Sequence, residues 1–211
     1  NITTDSTQQS DTYHALTAQE AEKTDKLLRM YYAYIMTVPG LNWIYYGDEL
    51  GMTGVMQSTI DSGSTSTTES EPHEDRIYRQ PMKWYTETSR NASFDIGYGT
   101  LKAELTGLNA TDAVQGADSQ DTDQNSLLNW MRTLTRVRND NPVLINGVME
   151  KTTNFISGST VMYTISKGAE KVKVYLNFGD NAFNVNESNV LASYGMSGKT
   201  LNKYGVAIVK A

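Results

Sequence analysis

Val38-Pro-Gly-Leu-Asn-Trp-Ile-Tyr-Tyr-Gly-Asp-Glu-Leu-Gly-Met52 is the stretch on which the fold turns. Pro39-Gly40 stops any helix that reaches it, because proline has no amide hydrogen to donate and glycine frees the backbone. Residues 41–46 are then apolar almost without a break. A strand with one wet face alternates polar and apolar residues, whereas a nearly continuous run suits a strand covered on both faces, as in a parallel sheet. Gly47-Asp48-Glu49 ends the run with two acids behind a glycine. Upstream, Thr17-Ala-Gln-Glu20 fits a capping box, in which the Thr17 hydroxyl and the Glu20 carboxylate each serve an end-of-helix amide. Leu27, Leu28, Tyr31, Tyr32, Tyr34, Ile35 and Val38 follow at mixed helical spacing, which predicts a helix over 17–38 with a broad apolar face. Helix, turn, buried strand and acids make one unit of alternating α/β architecture.

Outward from that unit the chain changes character twice. Residues 53–123 are polar and read as a long loop, Ser/Thr-rich and then acidic between Gln57 and Asp75, with a short helix near 100–107. Irregular excursions of that length usually carry function. Within it, Arg79-Gln-Pro-Met-Lys-Trp84 gathers a cation, a proline and an aromatic ring. Ser126 to Asn139 is the second helix: Leu127, Leu128, Met131, Leu134 and Val137 share one stripe, while Arg132, Arg136 and Arg138 sit on or beside the polar face near the C-terminal end of the dipole. Asn141-Pro142 closes it. Beyond Pro142 the period falls to that of strands, over 161–165, 172–176 and 206–209. Gly158, Lys167-Gly168, Gly179-Asp180 and Gly195 to Gly198 serve as the turns between them. The expectation is an α/β part over 1–141 and a small antiparallel sheet or sandwich over 142–211.

Composition narrows the partners. The 211 residues include 24 acidic and 18 basic side chains, a formal net charge of -6. Nucleic-acid binding calls for a basic patch, so no nucleic-acid partner is expected. There is no cysteine, which excludes disulfides and thiolate-bound metals. No apolar run approaches the roughly 18 residues of a membrane-spanning helix, so no membrane partner is expected. The chain begins at Asn1 without a leader, which suits a mature product or a piece of a longer protein. His14 and His73 stand alone, outside any metal-ligand spacing, and no metal site is expected here.

Four segments in order resemble the α-amylase family of glycoside hydrolases. Val38 to Met52 resembles that family's eighth barrel strand with its leading turn. Arg79 to Trp84 is similar to the Arg-x-Pro-Met-x-Trp loop beyond it. Asn125 to Arg138, with Asn141-Pro-Val-Leu144, resembles the last barrel helix and the entry to the C-terminal β domain. Leu201 to Val209 fits that domain's final strand. The resemblance implies the C-terminal end of a (β/α)8 TIM barrel followed by an antiparallel β-sandwich domain. In such barrels, polar residues at the C-terminal ends of strands line the active-site mouth. It also implies an α-glucan or oligosaccharide as substrate, and the polar length and tyrosine content are similar to starch-degrading enzymes of gut bacteria. By family the setting would be extracellular, periplasmic or the outer-membrane surface. Calcium is frequent in the family, with its usual ligands upstream of this stretch, and no other cofactor is implied. An α-glucosidase or transglycosidase of the same family is the alternative activity.

The family's chemistry is retaining hydrolysis, which needs a nucleophilic carboxylate and an acid/base carboxyl group about 5–5.5 Å apart, with a third carboxylate holding the sugar. The Gly-x-Arg-x-Asp nucleophile pattern and the fifth-strand acid do not occur in this sequence. The third carboxylate's stretch has its nearest match at Gln9-Ser10-Asp11-Thr-Tyr-His14, where Asp11 stands at the right offset among departed neighbours. Asp11 is therefore either a degenerate transition-state stabiliser or an ordinary loop acid. Asp48 and Glu49 either touch sugar at the barrel mouth or cap backbone at the strand end. Arg79 and Trp84 either contact glucan, an indole face against a sugar face, or pair and pack internally. Trp43 and Trp130, and the tyrosines at 31, 32, 34, 45 and 46, read as core. One parallel strand with two helices cannot cover its own faces. The other staves are expected from a missing N-terminal barrel half or from an oligomer. The isolated chain is expected to be inactive.

Overall fold

The computed structural model describes residues 18–52, 82–86, 115–151, 154–156 (backbone alone) and 159–211. Helix α1, Ala18–Thr37, buries Arg29, Met30, Tyr32, Ala33, Met36 and Thr37. These lie three or four apart, the spacing that gathers side chains on one helical face. The Thr37 hydroxyl turns back onto the Ala33 carbonyl, and Gly40 at φ 110° redirects the chain. A short 3₁₀ turn follows at Asp48–Leu50. Helices α2 (Ala117–Thr122), α3 (Leu127–Asp140) and α4 (Val143–Asn146) come next. Ser126 caps α3, its hydroxyl accepting from the Asn129 amide at 3.1 Å, which satisfies one of the free donors of the first turn. The Thr17 capping box and the helix near 100–107 lie outside the described residues.

The remainder is one antiparallel sheet. Its strands are β1 (Val148–Met149), β2 (Asn154–Ile156), β3 (Thr160–Lys167), β4 (Glu170–Asn177), β5 (Phe183–Asn184), β6 (Val190–Ser197) and β7 (Thr200–Lys210). The path runs β1-β3-β4-β7-β5, with β2 beside β3 and β6 beside β7. Two hairpins close with two-residue loops, Lys167 opposite Glu170 and Ser197 opposite Thr200. Gly168 at φ 60° and Gly198 at φ 57° supply the left-handed backbone such loops require. Sequence reading made Gly195 to Gly198 a single turn and missed β6. Instead Gly195, at φ 63°, lies inside β6, where the register with β7 shifts between Tyr194 and Met196. It is a bulge glycine rather than a turn glycine.

Side chains alternate across the sheet at the period of two that strands impose. Tyr163, Ile165, Val172, Val174, Leu176, Val206 and Ile208 face α1, α3 and α4, joining Met30, Ala33, Met36, Trp130, Met131, Leu134 and Leu144 in one continuous core. Tyr175, Val185, Leu201, Ala207 and Val209 form a smaller cluster on the other face. At its edge the Tyr175 hydroxyl donates to Glu187 at 2.9 Å and Lys173 Nζ approaches the same carboxylate at 2.8 Å. Burial opposes ionisation of Glu187, but Lys173, a backbone amide and Tyr175 outweigh it and hold the carboxyl below its usual range. Burial and the adjacent carboxylate push the Tyr175 phenol up.

Two expectations about the core need correction. Arg138 does not lie on a polar face. It is 8 % exposed and its guanidinium donates to the carbonyls of Met36, Val38, Leu144 and Gly40. It thereby gathers the free carbonyls at the end of α1 and ties them to α4, and burial lowers its pKa. Trp130 is buried as expected, with its indole N–H on the Arg29 carbonyl. Trp43, however, is 87 % exposed and Leu41 92 %, and Tyr31, Tyr34, Tyr45 and Tyr46 are exposed too; of those tyrosines only Tyr32 is buried. Residues 41–45 carry no strand ladder. The physical reason is lateral: among the described residues no parallel strand lies beside them, so the apolar side chains here, Ile44 and Tyr46 included, meet solvent.

Candidate functional site

The apolar segment 41–46 ends in a tightly bonded turn. Gly47 and Gly51 take φ 90° and 77°, and the amides of Leu50 and Met52 both donate to the Gly47 carbonyl. A side chain at Gly47 would also press on Met52, 2.7 Å from its sulfur. Asp48 accepts from the Tyr45 amide and Glu49 from the Gly47 amide, each at 2.9 Å. Both carboxylates therefore spend at least one oxygen fixing the turn. Leu50 is buried and its carbonyl accepts from Gln120 Nε2 at 2.9 Å, which ties the turn to α2.

Residues 82–86 lie along the start of α2. The amides of Ala117 and Asp118 donate to the carbonyls of Lys83 and Trp84 at 2.9 and 3.0 Å. The Gly116 amide donates to Thr86 Oγ1, and the Thr86 amide to Asp118 Oδ1. A β-carbon on Gly116 would stand 2.3 Å from the Tyr85 carbonyl carbon, so only glycine permits this approach. Trp84 itself is 52 % exposed. Backbone bonds position the loop, and the indole is left half open.

Two grooves meet along α3. One lies between residues 44–49 and the helix and is bordered by Tyr46, Glu49, Met131 and Arg136; the other is bordered by Trp84, Asp118 and Asp121. Leu128 and Arg132 border both. Arg132 Nη1 sits 2.6 Å from Asp121 Oδ1 and donates to Asn129 Oδ1 at 3.1 Å. Of the residues expected at a sugar site, Asp48 and Trp84 lie on separate segments that are both tied to α2, and only Trp84 borders one of the two grooves, while Asp11 and Arg79 lie outside the described residues. Asp121 and Arg132 were not singled out from sequence as sugar contacts. The available signal was the Asp118-to-Asp121 spacing, one helical turn, directly after the glycine that admits the Trp84 loop. Among the described residues no cluster of His, Cys, Asp and Glu is arranged to hold a metal ion.

A helix, a Pro-Gly turn, an apolar segment ending in acids, a second helix and then an antiparallel sheet are the order of elements at the C-terminal end of a (β/α)8 barrel with its β domain. The family description "Alpha amylase, catalytic domain" matches residues 8–147. The chain belongs to the α-amylase family of glycoside hydrolases. It is 29% identical over 172 residues to alpha-amylase SusG of Bacteroides thetaiotaomicron, covering 79% of this chain and 21% of that protein. It is 27% identical over 187 residues to alpha-amylase 3 of Dictyoglomus thermophilum, covering 83% and 32%. Among solved structures it resembles an isomaltulose synthase of Erwinia rhapontici NX5 in complex with D-glucose, at TM-score 0.63 and 17% identity, over 92% of this chain and 39% of that one. The trehalulose synthase MutB of Pseudomonas mesoacidophila MX-45 superposes at TM-score 0.64 and 17% identity, over 89% and 38%. The chain thus spans between about a fifth and two fifths of the length of these proteins.

Proposed function

We propose that the chain is the C-terminal section of a retaining glycoside hydrolase acting on α-1,4-glucosidic bonds of starch-like glucans, and that it is inactive by itself. The family match over residues 8–147 supports the parent activity, together with the two relatives named as alpha-amylases. The observation that carries the section reading is the bare face of Leu41, Trp43 and Tyr45. An apolar segment left open to solvent among the described residues is a surface suited to being covered. In this reading residues 1–141 complete the barrel and 142–211 form the β domain. Asp11 takes the part of the third carboxylate, and Asp48, Arg79 and Trp84 contact the sugar. The nucleophile and the acid/base come from elsewhere in the parent, since their sequence patterns do not occur here.

A reducing-sugar assay on the isolated chain with soluble starch tests the reading. No release above blank is expected, and turnover would overthrow the assignment of the missing carboxylates. A second reading within the family is an α-glucosidase or transglycosidase, favoured by the fold likeness to isomaltulose and trehalulose synthases. A non-catalytic glucan-binding module is the other reading, favoured by the half-exposed Trp84.

A further inference from the structure

We propose that Asn146-Gly147, the joint between α4 and β1, is a site of covalent modification: the Asn146 carboxamide is lost through a backbone succinimide, and the product loosens the joint. An asparagine followed by glycine is the pairing in which no side chain shields the attacking nitrogen. Asn146 ends α4 at the surface, and among the described residues its carboxamide has no hydrogen-bond partner. The nucleophile is held by one bond, from the Gly147 amide to the Val143 carbonyl at 2.9 Å. The start of α4 is firmly anchored: Val143 and Leu144 are buried, Arg138 donates to the Leu144 carbonyl, and the Gly40 amide donates to that of Ile145. These anchored carbonyls stop one residue short of Asn146. The last bond of the turn therefore opens without disturbing them, because helix ends fray at little cost.

Water is the only co-reactant. Solvent base takes the proton from the Gly147 nitrogen, which attacks Cγ of Asn146. The new C–N bond closes a cyclic imide as the bond to Nδ2 breaks and ammonia leaves. Water then opens the ring at either carbonyl, giving aspartate or, with the chain rerouted through the side-chain carboxyl, isoaspartate. Both products add a carboxylate to the joint. Isoaspartate also inserts a backbone atom where there is no room. A β-carbon on Gly147 would already stand 2.3 Å from the Val143 carbonyl oxygen, 2.9 Å from Ile165 Cγ2 and 3.0 Å from the Ser166 carbonyl oxygen. Val148 and Met149 pair with Ser166 and Ile165, so the displacement falls on the β1 ladder.

Incubation of the 211-residue chain at mildly alkaline pH, in buffer and in urea, tests this by peptide mapping and ammonia release, with thermal melting of the converted chain. Asn146 is expected to be the fastest-converting asparagine among the described residues, at a rate in buffer within about tenfold of its rate in urea. The converted chain is expected to melt below both the fresh chain and Asn146→Asp, which carries the charge on an unaltered backbone. Asn146→Ser is expected to abolish the product in that peptide and to keep its melting midpoint through the same incubation. Protection in buffer beyond that margin, another described asparagine converting ahead of Asn146, or a converted chain that melts like the fresh one overturns the proposal. None of these outcomes touches the glycosidase reading.

Discussion

Two apolar runs of the molecule obey the same local rule and meet opposite fates. Val206-Ala-Ile-Val209 lies in β7 with β4 on one side and β6 on the other, and all four residues are fully buried. Leu41 to Tyr46 is apolar too, broken only by Asn42, yet it has no ladder and shows most of its side chains to solvent. Composition makes a segment fit for a sheet interior; only neighbours put it there. Burial on two faces is a property of three strands, not of one.

The largest test of that contrast is Ile208→Ala. Ile208 is packed between α1, α3 and the sheet, so urea unfolding is expected to show a loss of about 2–5 kcal/mol. A smaller but still substantial effect is expected at Arg138→Ala, about 2–3 kcal/mol in the same measurement, because four carbonyls lose a shared buried donor. Trp43→Ser in this chain is expected to move stability by less than about 0.5 kcal/mol, since a side chain already in water has nothing to lose on folding. Light scattering is expected to show less self-association for that variant. A loss at Trp43 comparable with Ile208 would erase the distinction between the two runs.

The smallest effect concerns pH. Glu187 has a lowered carboxyl pKa in the fold, so its contribution is present above the unfolded carboxylate value of about 4.3 and fades as pH falls through the folded value. Unfolding curves of the natural chain and Glu187→Gln are expected to differ near neutrality and to converge below pH 4. A gap that stays constant on acidification would mean that Lys173 and Tyr175 do not sense the carboxylate.

Much of this was readable in advance because it depends on short-range chemistry. Periodicity gave both long helices, β3, β4 and β7, and the Pro39-Gly40 stop. The Leu-x-x-Met-x-x-Leu spacing of α3 marked its buried stripe. Four ordered segments carried the family. What escaped depends on groups far apart in sequence. Arg138 looks like a surface arginine because its partners at Met36, Val38 and Gly40 are about a hundred positions away. Gly195 looks like half of a turn because a bulge is defined by its partner strand. Trp43 looks like core because a sequence does not reveal whether the next stave is present. The open indole of Trp84 likewise depends on a backbone ladder with 116–118 that no local pattern announces.

Arg138 has one more consequence. It reaches from α3 to the last carbonyls of α1 on one side and to Leu144 on the other, while the same apolar cluster runs beneath all three. The point between 141 and 142, natural as a break in the sequence, is therefore a poor place for a gene fusion or a protease cut. A polypeptide starting at 142 would carry Tyr163, Val174, Val206 and Ile208 with the roof removed, and would precipitate.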